Sequence, residues 1–247
     1  MQAVILAGGL GSRLRPLTAR VPKCMLSVQG RPFLEYQLEL LRSSGFRDIL
    51  LCISYLGEQV VSHCGDGSRF GIRLDYSWER GELLGTAGAL KQARPRLDHE
   101  FMLTYGDTYL PMDYGAAIEA FQRERRLALM VVERNHDRFE RSNVVIGDGL
   151  IQVYDKLNRA PDMVYMNYGV ALLKRSALSL VPAGVHYSQE ALFQDLIRRK
   201  QLLAFETDTP FQEVGSRAGI ARFRRYLQED TPALRPALHP RNTVRYS

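Results

Sequence analysis

Short apolar runs alternate with segments whose apolar residues recur every three or four positions, and the alternation persists through the first two-thirds of the chain. Ala3–Leu6 is continuously apolar and stops at Gly8-Gly9, the pattern of a strand buried on both faces that runs into a loop. Phe33, Leu34, Leu38 and Leu41 share one helical face, and Gly45 closes that helix. Asp48–Ser54 predicts a second strand, Gly57–His63 a short helix and Ile72–Ser77 a third strand. Thr86–Ala93 reads as a helix ended by Pro95. Glu100–Tyr105 is a strand running into Gly106-Asp107, followed by a helix over Tyr114–Arg125 and a strand over Leu127–Glu133. This succession predicts an α/β fold with a Rossmann-like, doubly wound, mixed but mostly parallel sheet.

The pattern changes after Asn135. Asn143–Ile146, Leu150–Tyr154 and Tyr165–Leu173 read as antiparallel strands around the Gly147-Asp148-Gly149 turn, a small extension of the sheet that covers the site rather than a separate domain. A helix over Ser188–Arg199, a strand over Leu202–Glu206 and a helix over Arg217–Leu227 follow. Residues 1–229 form one domain in this reading. From Asp230 prolines accumulate and apolar periodicity is lost, so 230–247 reads as an extended or disordered tail.

Composition changes this picture little. Of 247 residues, 45% are apolar and 24% charged, enough for a large core without disulfides. The net charge of +6 suits small polyanions, but Lys and Arg are scattered, with no recognition motif for nucleic acid. Three cysteines without a C-x-x-C pair fit buried thiols in a reducing cytoplasm. The apolar start lacks a basic segment before it and is far too short to cross a membrane, so neither secretion nor a membrane role is expected. The five histidines form no metal-binding spacing.

The candidate chemistry begins at Leu6-Ala-Gly-Gly-Leu-Gly-Ser-Arg-Leu-Arg-Pro-Leu-Thr18, followed by Pro22-Lys23. A buried strand delivers this loop to the carboxyl edge of the sheet, where open α/β folds bind ligands. Gly8, Gly9 and Gly11 let backbone N–H groups approach anionic oxygens. Arg13 can offer paired donors to phosphate, and Lys23 a mobile point charge. The dinucleotide fingerprint G-x-G-x-x-G and the P-loop pattern are both absent.

The stretch resembles the G-G-x-G-T/S-R-L-x-P-L-T and P-K-P motifs of the sugar-1-phosphate nucleotidyltransferases, or nucleotide-diphosphosugar pyrophosphorylases. The similarity continues in family order. Leu84-Gly-Thr-Ala-Gly-Ala-Leu90 resembles the second nucleotide loop, and Tyr105-Gly-Asp-Thr108 the metal motif. Asp155-Lys156 resembles the E-K-P lysine, Asn167-Tyr-Gly-Val170 the sugar loop, and Phe211-Gln-Glu-Val-Gly-Ser216 the D-I/T-G-T/S motif. Cys24 replaces a proline, Leu157 replaces the proline after the lysine, and Glu213 stands where aspartate is usual.

The resemblance implies a glycosyltransferase-A-like nucleotidyltransferase fold, a nucleoside triphosphate and a sugar 1-phosphate as partners, and Mg²⁺ as cofactor. Leu6, Ala7, Gly8, Gly9, Gly11, Ser12 and Arg13, with Gly85, Thr86 and Gly88, would bind the nucleotide. Arg13 and Lys23 would be catalytic, on the departing phosphates and between α-phosphate and sugar phosphate. Gly106, Lys156, Asn167 and Gly169 would hold the sugar phosphate, and Asp107 and Glu213 the metal. Blander roles stay open: a turn cap for Asp107, a solvated carboxylate for Glu213, a surface lysine for Lys156, a plain turn for Asn167 and a helix start for Thr86. The loop at Leu84 resembles that of mannose- and heptose-1-phosphate guanylyltransferases, which points to GTP. Uridylyl-, thymidylyl- and cytidylyltransferases, and a non-catalytic nucleotide-sugar-binding regulator, stay open, as does a homodimer.

Overall fold

The computed structural model describes residues 1–137, 141–158, 160 and 162–229. The tail expected over 230–247 lies outside the described residues. The strands of the first half are β1 (Gln2–Leu6), β2 (Ser27–Val28), β3 (Arg31–Pro32), β4 (Asp48–Ile53), β5 (Arg73–Trp78), β6 (Glu100–Tyr105) and β7 (Thr108–Tyr109). Those of the second half are β8 (Ala128–Arg134), β9 (Val144–Gly147), β10 (Leu150–Tyr154), β11 (Tyr165–Lys174), β12 (Leu202–Glu206) and β13 (Gln212–Glu213). The helices are α1 (Phe33–Ser43), α2 (Gly57–Cys64), α3 (Gly85–Ala93), α4 (Tyr114–Glu124), α5 (Gln189–Arg198) and α6 (Arg217–Glu229). Each element anticipated from periodicity is present, with ends displaced by a residue or two. The two-residue pairs β2–β3 and β7–β13 are too short to leave a periodic signal.

Nine strands form one mixed sheet in the order β5-β4-β1-β6-β11-β8-β12-β10-β9. β5, β4, β1 and β6 are mutually parallel. β11 then enters antiparallel between β6 and β8, so one antiparallel strand is central rather than peripheral. β1 is buried on both faces, which is why its sequence is continuously apolar. Ala3 and Ile5 pack with Leu34 and Leu38 of α1, while Val4 packs on the other face with Ala87 and Leu90 of α3. The chain moves from β1 to β4 on one side and returns to β6 on the other. The carboxyl ends of β1 and β6 therefore flank the switch point of the sheet, where a crevice opens.

A third apolar cluster lies beneath the glycine-rich loop. Phe223 of α6 is fully buried, with ring centroids 5.2 Å from Phe33, 5.5 Å from Tyr36 and 5.1 Å from Tyr109. α6 is thereby fixed to α1 and β7. Among the described residues no helix is long and apolar enough to cross a membrane.

Candidate active site

Two cavities of about 440 and 420 Å³ meet at the crevice, sharing Arg13, Tyr105, Asp107 and Lys156. Leu6, Ala7, Gly8 and Gly9 form one wall of the first, and Gly85 and Thr86 the wall across from it. Gly106 crosses the end of β1 so closely that a Cβ on it would lie 3.2 Å from Ala7. That approach brings the glycine-rich loop and Asp107 together at adjacent strand ends.

Not every glycine in the loop faces the cavity. Gly11 lies off it, in a left-handed conformation with φ of 59°, and Thr18 Oγ1 donates to its carbonyl at 2.8 Å. A Cβ there would meet Thr18 at 2.8 Å, so glycine is required by the turn itself. Ser12 is off the cavity as well. Gly88 is a packing position, where a Cβ would stand 2.7 Å from Leu84 and 3.2 Å from the Val185 carbonyl. The Ala87 and Gly88 N–H groups both donate to the Tyr187 carbonyl at 3.0 Å. These amides are thus already engaged. Thr86 does not cap α3: its hydroxyl accepts the Gln189 N–H at 2.7 Å, tying α3 to the start of α5.

At the seam of the two cavities Lys23 is ion-paired with Asp107. β13 runs antiparallel to β7 with Glu213 opposite Thr108, and the Val214 N–H donates to the Asp107 carbonyl at 3.0 Å. This two-residue ladder sets Glu213 beside Asp107. A Cβ at Gly215 would fall 2.8 Å from Glu213 Oε2, 2.9 Å from Asp107 Oδ2 and 3.1 Å from Lys23 Nζ. Two carboxylates and an ammonium thus crowd against Gly215, where any side chain would displace them. Glu213 also accepts from the Gly215 N–H, from Ser216 Oγ at 2.7 Å and from Arg222 at 3.2 Å. Among the described residues no group of three or more His, Cys, Asp or Glu side chains is arranged for a metal. Two protein carboxylates set side by side by the β7–β13 ladder instead suit a hard cation that keeps waters and takes its other oxygens from substrate.

The second cavity is lined by Lys156, Asn167, Gly169 and Glu213, together with Tyr154 and Tyr168. The β11–β8 pairing is irregular between Asn167 and Ala171, and the resulting bulge carries Gly169 at a φ of 74°. A Cβ on Gly169 would meet Tyr105 at 3.0 Å. Asn167 Oδ1 accepts the Gly169 N–H at 2.7 Å, so the turn-forming role holds for that oxygen. Asp155 accepts from the Leu157 and Asn158 N–H groups at 2.7 and 2.9 Å. Those bonds hold its carboxyl below the usual range. Asp155 therefore builds the turn that presents Lys156. Leu157, in the position of the missing proline, is 82% exposed.

Several cavity residues carried no recognisable signal in the sequence. Glu79 is half-buried, and burial raises its carboxyl above the ordinary value although Oε1 accepts the Leu84 N–H at 2.9 Å. Its Oε2 is turned toward Gly8. Tyr105, already part of the Tyr105-Gly-Asp-Thr108 motif, lines both cavities and donates to Gln189 Oε1 at 2.5 Å. Ser188, Gln189 and Glu190 enter from the start of α5. Nothing local distinguishes these residues from helix-start residues, because it is the β11–α5 path that carries them to the crevice. Cys24 and Cys52 lie on the floor of the first cavity with thiols pushed up by burial to about 12, and Cys64 is likewise raised to about 11. All three are free, buried thiols rather than nucleophiles.

Residues 2–149 match the nucleotidyl transferase family. The chain is 30% identical over 216 residues to the D-glycero-alpha-D-manno-heptose 1-phosphate guanylyltransferase of Campylobacter jejuni, covering 87% of this chain and 95% of that protein. It is also 30% identical over 203 residues to the UTP–glucose-1-phosphate uridylyltransferase of Synechocystis, covering 76% of this chain. The match spans 52% of that relative's length. Among solved structures, HddC from Yersinia pseudotuberculosis complexed with GMP-PN superposes with a TM-score of 0.76 at 25% identity, covering 92% of this chain and 99% of that one.

Proposed function

The chain belongs to the nucleotidyl transferase family, and on that premise we propose that it transfers a nucleotidyl group from a nucleoside triphosphate to a sugar 1-phosphate. The observation that carries this reading is the gathering of Lys23, Asp107 and Glu213 about Gly215, with Lys23 lining the first cavity, Glu213 the second and Asp107 both. The first cavity, walled by the glycine-rich loop, would take the triphosphate. The second, with Lys156 and the Asn167–Gly169 bulge, would take the sugar phosphate.

In this mechanism a phosphate oxygen of the sugar 1-phosphate attacks the α-phosphorus in line. One P–O bond forms there, the bond to the bridging β-oxygen breaks, and pyrophosphate leaves with that electron pair. The attacking phosphate is already anionic at neutral pH, so no protein base is needed. The protein's task is to bring two anions together and to balance their charge. Arg13 lines both cavities and would hold the departing phosphates. Lys23 would exchange Asp107 for the α-phosphate and the incoming phosphate as substrates enter. Lys156 would fix the sugar phosphate from the other side. Asp107 and Glu213 would hold Mg²⁺, which when bound offsets triphosphate charge and polarises the α-phosphorus.

Glu79 supports guanine as the base. Its carboxylate only accepts hydrogen bonds, and guanine presents two neighbouring donors on its pairing edge, whereas uracil and thymine present one donor between two acceptors. The guanylyltransferase relative and the guanosine ligand of HddC point the same way. Heptose or mannose 1-phosphate is then the acceptor to try first. Pyrophosphate release should be measured across four or five triphosphates and several sugar 1-phosphates, with and without Mg²⁺. GTP with one of these acceptors should give Mg²⁺-dependent release. A preference for UTP would move the base assignment alone, and no release from any pair would remove the transferase reading.

A further inference from the structure

We propose that Glu190 is a specificity-determining residue that reads two neighbouring hydroxyl groups of the sugar ring and so selects neutral, polyhydroxylated sugar 1-phosphates. The assignment rests on the transferase reading above. Glu190 lies in the first turn of α5, is half-buried and lines the first cavity with Lys156 and Tyr105, the residues at its junction with the second. Its position in the cavity wall beside Ser188 and Gln189 puts it among the residues that a bound substrate passes.

The other polar residues at the start of α5 are engaged. Ser188 Oγ accepts the Ala191 N–H at 3.0 Å, and Gln189 accepts from Tyr105 and donates its N–H to Thr86. Glu190 has neither a hydrogen bond nor an ion pair among the described residues. A carboxylate in the first turn of a helix is favoured there by the helix dipole, which keeps it charged without a neutralising partner. That local role does not require a position lining the cavity. Lys156 lines both cavities, so a sugar phosphate held on it from the second cavity can extend its ring across the junction toward Glu190 in the first. A carboxylate offers two acceptor oxygens and no donor, so adjacent hydroxyls satisfy it and an anionic substituent at that edge is repelled. A site built to bond a hydroxyl also rejects analogues that lack it.

The test is pyrophosphate release by wild type, Glu190→Gln and Glu190→Asp, using an accepted sugar 1-phosphate and its series of single-deoxy analogues. In wild type, removing one hydroxyl of an adjacent pair should lower kcat/KM about tenfold or more, as loss of a hydrogen bond to a charged group does. Glu190→Gln should lower the parent sugar to a similar level and shrink the deoxy penalty at those positions to under roughly threefold, with the KM for the triphosphate unchanged. Glu190→Asp keeps the charge one methylene back and should retain part of the discrimination; it carries the comparison alone if the glutamine variant does not fold. Deoxy penalties undiminished in both variants, or a triphosphate KM that moves as far as the sugar KM, would overturn the assignment. Absence of turnover by wild type with every pair would instead remove the transferase reading, and this inference with it.

Discussion

Glu213 is one methylene longer than the aspartate of the motif it resembles, and its surroundings accommodate that length. Its carboxylate folds back onto the Gly215 N–H and Ser216 while Oε2 stays on the face of Gly215 that Asp107 also borders. Gly219 makes the fold-back possible, since a Cβ there would stand 1.9 Å from Glu213 Oε1. Gly219→Ala must therefore displace the carboxylate. It should raise the Mg²⁺ concentration for half-maximal pyrophosphate release by about tenfold or more, which a metal titration of initial rates reads directly. Glu79 offers a second residue-scale prediction. Burial raises its carboxyl, so the folded state holds that proton more tightly than the unfolded chain does. This group therefore favours folding at mildly acidic pH, and the contribution is lost as pH rises through the raised value. Glu79→Gln should leave thermal stability at about pH 8 equal or higher, and its GTP affinity should fall less on acidification than that of wild type, whose carboxylate takes up a proton more readily than an ordinary one. Melting curves and GTP titrations at about pH 8 and at mildly acidic pH check both halves.

Two helices carry the site from a distance. α5 starts at Ser188, whose hydroxyl caps the Ala191 N–H, and the same turn delivers Gln189 and Glu190 to the crevice. Ser188→Ala should cost about 1 kcal/mol of stability, read by denaturant unfolding, and should weaken sugar phosphate more than triphosphate. α6 holds Gly219 and Arg222 against Glu213, and Phe223 anchors it to Phe33, Tyr36 and Tyr109. Phe223→Ala should cost about 3–5 kcal/mol and loosen the metal cradle, though it lies outside both cavities. A midpoint shift in urea with an unchanged slope, alongside a weaker Mg²⁺ response, is the expected pair of results.

At the scale of the whole molecule, the parallel half of the sheet was legible because its strands and helices each bury a continuous or periodic face. β1, α1 and β6 announce themselves in this way, and with them the loop and Asp107 at their ends. The central place of β11 was not legible, because strand order is set by pairing between distant segments. The same distance hid Glu79 and Glu190, which are local helix- or loop-start residues until the sheet closes around them. Gly11 and Gly88 were legible as glycines, but the demands on them are a turn and a packing contact rather than an open face on the cavity. The fold as a whole joins two cavities at Asp107 and sets Glu213 beside it on the wall of the second. The most direct test is a Mg²⁺ titration of pyrophosphate release by wild type, Asp107→Asn and Glu213→Gln with the best triphosphate and sugar 1-phosphate. Saturable Mg²⁺ dependence in wild type, with kcat/KM lowered about a hundredfold or more in Asp107→Asn and clearly lowered in Glu213→Gln, is the predicted result. Full Mg²⁺-dependent activity in either variant would contradict the two-carboxylate cradle.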